Sequence, residues 1–188
     1  MEEIEVKFLN IDVEEIKKKL KDIGAEKVFE KLYKRKTFDY PNFRLDKKGA
    51  WIRLRHEGDE ITLAFKRRLG IGKDNDKGME EIEFVVSDFE QAEHFLLNIG
   101  LIRKGYQENR RTRYQLGNIE FDIDLWPKLN PYLEIEAPSW KEIDKAISLL
   151  GLDPKEKRIF STNQIYELEG INLNEYIEVT FNKMTKRS

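Results

Sequence analysis

Glu2-Glu3-Ile4-Glu5-Val6 returns as Glu80-Glu81-Ile82-Glu83-Phe84 and, in shorter form, as Leu133-Glu134-Ile135-Glu136. Each copy reads as a β-strand, where successive side chains point to opposite faces. Both carboxylates of each Glu-Ile-Glu therefore share one face, and the isoleucine takes the other. The first copy runs on into a helical pattern ending Asp22-Ile23-Gly24-Ala25 and a basic strand up to Phe38. The second runs on to Asn98-Ile99-Gly100-Leu101 and a basic strand to Tyr114; the third passes through a helix to Leu150-Gly151-Leu152. Asp12, Ser87 or Asp88, and Ser139 fit the helix N-caps, with Gly24, Gly100 and Gly151 at the left-handed C-terminal positions. The sets Ile16, Leu20, Ile23; Phe95, Leu96, Ile99; and Ile143, Ile147, Leu150 recur at helical spacing and predict one buried stripe each.

Between the first two copies, Trp51–Arg55 and Ile61–Lys66 predict a hairpin across His56-Glu57-Gly58-Asp59-Glu60. Residues 67–78, with Gly70, Gly72, Lys73 and Gly78, read as a loop that lacks the spacing of a Walker A motif. Ile119–Leu125 alternates, and Trp126-Pro127-Lys128-Leu129-Asn130-Pro131 predicts a turn. Eight strands with inserted helices predict an α+β fold: a closed eight-stranded antiparallel β-barrel with flanking helices, which would leave no exposed edge. The expected organisation is one domain over residues 1–188, with a core over about 1–150 and a helical extension over about 151–188.

Composition narrows the function classes. Charged residues make up 37% of the chain, yet 34 Lys+Arg nearly balance 36 Asp+Glu, for a net charge of -2. Generic binding to nucleic acid or to an acidic membrane wants a basic excess, so neither is expected. Cysteine is absent, which excludes disulfides, thiolate metal sites and a Cys nucleophile. No apolar run approaches a membrane span, and the acidic start lacks the apolar stretch of a signal peptide, so a cytoplasmic protein is expected.

The charge is arranged by strand. Glu3, Glu5 and Lys7 share one face, as do Arg53 with Arg55, Thr62 with Ala64 and Lys66, Glu81 with Glu83, Arg111 with Arg113, Asp122 with Asp124, and Glu134 with Glu136. Solvation of one face of an antiparallel sheet is the bland explanation. Two features count against it. The acids come in pairs, and arginine dominates the paired basic positions, where its fork suits phosphate. Two unit charges about 4 Å apart interact by roughly 4 kcal/mol at an effective dielectric near 20, so clustered carboxylates call for a cation. Oxygen donors without His or Cys select Mg²⁺, Mn²⁺ or Ca²⁺. Acids for metal and arginines for phosphate together read as a metal–triphosphate site. His56 and His94 have no ligand-spaced partner and read as structural; Trp51, Trp126 and Tyr132 read as packing residues.

On these residues the chain resembles the CYTH superfamily, the triphosphate tunnel metalloenzymes that include class IV adenylate cyclases and thiamine triphosphatases. Glu3-Ile4-Glu5-Val6-Lys7 matches the family's Glu-x-Glu-x-Lys signature, and Phe38-Asp39, Ile52-Arg53-Leu54-Arg55, Thr62-Leu63-Ala64-Phe65-Lys66 and Asp124 ahead of Glu134-Ile135-Glu136 follow in the family's order. The resemblance spans roughly residues 1–150 and implies an eight-stranded tunnel that binds a triphosphate-containing small molecule with Mg²⁺ or Mn²⁺. It implies that Glu3, Glu5, Glu134 and Glu136 face metal, with Asp124 or Asp122 beside them and Asp124 favoured by spacing. Lys7, Lys36, Arg53, Arg55, Lys66, Arg111 and Arg113 would hold phosphates, Arg35 being the alternative to Lys36 on its strand. Asn109 departs from the lysine that many relatives carry there and leaves the sixth strand's register open. Lys7, Glu81 and Glu83 are the candidates for a general base, Glu81 and Glu83 being favoured as counter-ions to the arginines. The implied activities are hydrolysis of inorganic or organic triphosphates, or cyclisation of ATP to cyclic AMP and pyrophosphate; a non-catalytic polyphosphate-binding module is the further alternative. A homodimer is compatible with the resemblance.

Overall fold

The computed structural model describes residues 4–68 and 79–187. Glu3 lies outside them, as do residues 69–78 of the loop expected over 67–78; the first two residues of that expected loop, Arg67 and Arg68, belong instead to a strand. The chain divides into two compact units, one taking the described residues of Met1–Lys31 with Asn109–Leu173, the other those of Leu32–Glu108 with Asn174–Ser188.

The first unit is built on three complete antiparallel strands, β1 (Ile4–Leu9), β8 (Tyr132–Ala137) and β7 (Ile119–Leu125), with the later part of β6 (Ile102–Leu116) beside β7. Alternation sends Val6, Phe8, Phe121, Ile123, Leu133 and Ile135 to one face, where all are buried. Helices α1 (Val13–Asp22) and α3 (Trp140–Leu150) cover that face with Ile16, Leu20, Ile143, Ala146, Ile147 and Leu150. α1 starts where the Asp12 carboxylate accepts from the amides of Glu14 and Glu15. α3 stops at Gly151, whose φ of 61° an L side chain adopts at a cost. The short α4 (Thr162–Leu168) follows a Ser161–Gln164 capping box, and its Tyr166 donates to the Pro127 carbonyl at 2.7 Å. Tyr166 lies edge-on to Trp126, 6.4 Å between ring centres, and Trp126 and Tyr132 are both buried, as their packing role requires.

The second unit holds β3 (Ala50–His56), β4 (Ile61–Arg68) and β5 (Met79–Val85), an antiparallel run that continues from the later part of β2 (Glu26–Asp39). Phe38 and Leu54 pack beneath α2 (Phe89–Asn98), against Phe89, Leu96 and Leu101. The α2 N-cap is Asp88, which accepts from the amides of Glu90 and Gln91. Here the expected stripe of Phe95, Leu96 and Ile99 is corrected: Phe95 and Ile99 are exposed, and the inner face carries Phe89, Glu93 and Leu96. Asp39 is fully buried and accepts from the amides of Tyr40, Leu45 and Asp46, which fixes the loop into β3.

Two further expectations change. The ladder order is β1-β8-β7-β6-β2-β3-β4-β5, and among the described residues β5 is not hydrogen-bonded to β1, so the antiparallel sheet with flanking helices is present but its ladder is open. At Lys7 the outer edge of β1 is used by Arg158, the Lys7 amide bonding the Arg158 carbonyl and the Lys7 carbonyl the Arg158 amide. Among its described residues the C-terminal segment is α-helical only in α4, with short 3-10 turns at Pro154–Glu156 and Leu173–Glu175. Tyr176-Ile177-Glu178-Val179 alternates as a strand, and β9 (Tyr176–Val179) pairs with β10 (Met184–Lys186) and, in parallel, with β6 at Tyr106 and Gln107. No helix of the described residues is long and apolar enough to cross a membrane.

Ile147 is 1% exposed in the first core. Ile147→Ala should cost about 2–5 kcal/mol in urea unfolding; a loss within about 0.5 kcal/mol, the range of surface substitutions, would contradict the packing described.

Candidate functional site

In the first unit the strands place their charges in rows. Glu5 lies opposite Glu136, and Glu136 opposite Glu120; Lys7, Glu134, Asp122 and Arg113 form the next row, and Tyr132, Asp124 and Arg111 the third. Rows of like charge are destabilising, and the bases are spent between them. Arg111 grips Asp124 with two bonds, Nε to Oδ1 at 3.0 Å and Nη2 to Oδ2 at 2.6 Å, while reaching Asp122 at 2.7 Å and Glu134 at 3.3 Å. Arg113 grips Asp122 in the same way, at 2.8 and 2.6 Å, and also meets Glu120. Lys7 is buried, paired with Glu5 and 3.1 Å from Glu134. Asn109 donates to Asp124 at 3.0 Å.

Burial sets the electrostatics of this face. Asp122, Asp124 and Glu134 are all buried. Burial alone would depress the Arg111 guanidinium, but Asp124, then Glu134 and Asp122, hold it well above its ordinary value. Asp124 is pushed up nonetheless: burial is the largest cause, Arg111 opposes it, and Glu134 and Asp122 add to it. Hydrogen bonding to Asp122 is the main reason that Arg113 is raised. The face is short of positive charge. Among the described residues no group of three or more acidic or histidine side chains stands ready-made for a metal ion, because the Arg111 guanidinium occupies the centre of the buried carboxylates.

The second unit carries the opposite imbalance. Register places Arg53 opposite Ala64 and Ala64 opposite Glu83, Arg55 opposite Thr62, and Trp51 opposite Lys66, which faces Glu81. Arg53 donates to Glu83 at 2.9 Å and lies 3.5 Å from Glu81; Lys66 pairs with Glu81 at 2.8 Å; Arg55 lies 3.8 Å from Glu83 and 2.5 Å from Glu57. Burial, then the like charge of Arg55, holds the Arg53 guanidinium below its ordinary value, and its Nε is buried without a hydrogen-bond partner among the described residues. Glu83 is held low: burial pushes it up, but the bond from Arg53 and the charges of Arg55 and Arg53 outweigh that.

Lys36 is not brought to this face. It lies opposite Leu54, on the side covered by α2, where its ammonium meets Glu93 at 2.7 Å and Glu90 at 3.1 Å and sits 4.3 Å from the centre of the Phe89 ring. The residue that register sets opposite Arg55 is Arg35, so Arg35 and not Lys36 shares the strand face of Arg53 and Arg55. Glu93 is held below the ordinary carboxylate range, since Lys36 and Arg103 outweigh its burial. Of the expected metal-facing residues, Glu5, Asp124, Glu134 and Glu136 share one face of the first unit. Asp122 joins them with as many contacts as Asp124, a parity already visible in Asp122-Ile123-Asp124. Glu120 and Asn109 went unremarked as contributors, although Glu120 has the parity of Asp122. Nothing in the helical pattern marked Glu93, whose role emerges only with Lys36 beneath it.

The comparisons with known proteins agree with this architecture. The CYTH domain model matches residues 1–167. Among solved structures, the PH1012 protein of Pyrococcus horikoshii OT3 is 24% identical, with a TM-score of 0.65, covering 87% of this chain and 99% of its own. A candidate adenylate cyclase from Vibrio parahaemolyticus is 15% identical at a TM-score of 0.65, covering 88% and 97%. A Hippeastrum candidate adenylyl cyclase described as having a dominant triphosphatase activity is 13% identical at 0.58, covering 92% and 98%. These likenesses speak to the fold. Among curated proteins no match was found. With the family model spanning most of its length and the expected charged strands in place, the chain belongs to the CYTH domain family.

Proposed function

We propose that this protein hydrolyses triphosphates with the help of a divalent cation. The observation that carries the reading is the pair of opposite imbalances: Asp122, Asp124 and Glu134 buried around one guanidinium, and Arg53 half-buried with an unsatisfied Nε beside Arg55. A face short of positive charge fits a cation, and a face short of negative charge fits phosphate.

The donor set suits the cation. Glu5, Asp122, Asp124, Glu134 and Glu136 offer hard carboxylate oxygens, the type that Mg²⁺ or Mn²⁺ takes. Once held, the ion would polarise a phosphoryl oxygen and neutralise charge developing on it. Arg111 and Arg113 already carry the forked geometry that matches either carboxylate or phosphate. Arg35, Arg53, Arg55 and Lys66 are assigned to the phosphate chain in their own unit, where Glu81 and Glu83 act as counter-ions. Glu83, held below its ordinary range, is a weak base at neutral pH. Lys7, clasped by Glu5 and Glu134, is cast as the residue that spaces those two acids.

Release of phosphate from tripolyphosphate, ATP and thiamine triphosphate, measured with Mg²⁺ or Mn²⁺ and with cyclic AMP assayed in parallel, tests the reading. Turnover of at least one substrate that stops on chelation is expected; cyclic AMP as the main product would replace hydrolysis with cyclisation. Glu134→Gln should lower kcat by on the order of 10²–10³, and wild-type kcat in that variant would remove Glu134 from the site. Arg53→Ala should raise KM by about 10–100-fold, the equivalent of one charge-assisted bond; an unchanged KM would place Arg53 outside phosphate binding.

Stability offers a check free of turnover. Arg111→Ala leaves buried carboxylates unpaired and should cost about 3–5 kcal/mol near neutral pH. Asp124, already raised, rises further without Arg111. An acid raised in the folded state contributes stability that is lost as pH climbs from its ordinary value to its folded one, so the deficit should widen as pH rises above the ordinary aspartate range. Saturating Mn²⁺ should narrow it, by about 2.7 kcal/mol at a hundredfold excess over Kd. Unfolding curves showing a pH-independent deficit would contradict the assignment.

A further inference from the structure

On β2 the run Lys34-Arg35-Lys36 puts a cation at three successive positions. Strand alternation sends neighbours to opposite faces, so this run by itself does not decide which cation goes beneath α2 and which joins Arg53 and Arg55. Phe38 and Asp39 fix the strand only at its end, in the core and in the loop. One extra residue in a β-bulge between them and Lys34 would exchange the faces.

The space beneath α2 is built for one kind of cation. Lys36 and Glu93 are 5% and 6% exposed, with their charged atoms 2.7 Å apart. Glu90 adds a second carboxylate at 3.1 Å, and the Phe89 and Tyr106 ring centres lie 4.3 and 5.6 Å from the ammonium. The far side of Glu93 is held by Arg103 at 3.2 Å, and Tyr106 donates to Glu108 at 2.6 Å. Two acids and two rings around so small a volume suit a compact ammonium better than a planar guanidinium. A leucine at position 93 would continue the inner stripe of Phe89 and Leu96, and a buried ion pair gains little stability over such packing; its best-attested use is to select one register.

We propose that Glu93, assisted by Glu90, is a positioning residue: by holding Lys36 under α2 it turns Arg35 and Thr37 to the face of Arg53 and Arg55, where Arg35 serves as a further phosphate-binding cation. The phosphate role of Arg35 rests on the triphosphate reading; the selection of strand face by Glu93 does not.

Because the chain has no cysteine, engineered pairs report the register directly. Lys34 lies opposite His56, at the separation of strand neighbours that a disulfide can bridge. Lys34→Cys with His56→Cys should cross-link under mild oxidation, and Tyr33→Cys with His56→Cys, the pair that one extra residue in β2 would bring opposite, should not. In a Glu93→Leu background the first rate should fall at least about tenfold and the second pair should begin to cross-link, whereas loss of stability alone would not create the second product. KM for tripolyphosphate should rise about tenfold with kcat within about threefold, and Glu93→Asp should restore much of both. If Glu93→Leu fails to fold, Glu93→Gln is read in its place, with the same exchange of pairs expected. Cross-linking that keeps the wild-type pattern in the variant read overturns the proposal. Absence of tripolyphosphate turnover in the unmodified protein would defeat the triphosphate reading alone, and the cross-links would still decide the role of Glu93.

Discussion

The structure depends on a constraint of strand geometry: an apolar face sealed under helices forces every charge of these strands onto the other face. Val6, Phe121, Ile123, Leu133 and Ile135 are all fully buried, so Lys7, Asp122, Asp124 and Glu134 have no freedom to turn elsewhere. Register then sets Glu134 beside Asp122 and Glu136 beside Glu120, acid against acid. Such neighbours coexist only if cations are inserted between them. Arg111, which touches Asp122, Asp124 and Glu134 at once, is the insertion that makes this arrangement foldable.

An arginine in that place is a partial solution. Asp124 remains raised although Arg111 grips it with two bonds, because burial and the neighbouring acids outweigh one guanidinium. In the other unit Arg53 remains low although Glu83 bonds to it, because burial and Arg55 outweigh one carboxylate. Each unit thus keeps a residual charge of one sign in a partly desolvated place, where an ion of the other sign is worth more than in water. Groups perturbed in this way cluster at functional sites and also occur in structural ion-pair networks.

Much of this was legible because period-2 alternation is a strong local signal. Glu-Ile-Glu, Arg53-Leu54-Arg55 and Asp122-Ile123-Asp124 each declare which residues share a face, and β3, β7 and β8 pair with those parities. The N-cap of α1 and the C-terminal glycine of α3 were equally local and equally readable. What failed was not local. Lys34-Arg35-Lys36 carries no alternation, so the partner on α2 decides. Phe95 and Ile99 have helical spacing, yet Glu93 takes the inner position because a lysine waits beneath it. The C-terminal strands were obscured by their shortness and by a pairing with β6 that lies some seventy positions away in sequence, for which loop closure leaves no trace in composition. The outer edge of β1 is likewise taken by a residue far along the chain, Arg158.

The division of labour between lysine and arginine follows from the same geometry. Arg111 and Arg113 each lie directly opposite an aspartate, at a spacing where a planar fork can meet both oxygens, and both do so. Lys7 and Lys36 instead sit between two carboxylates contributed by different residues, with no flat partner to match, and a rotatable ammonium serves both at once. Exchange of one type for the other would preserve the charge of the face while breaking its bonds. The pattern of forks and points along these strands therefore carries information that net charge does not: Arg111 and Arg113 each match one flat carboxylate, while Lys7 and Lys36 each join carboxylates of two different residues.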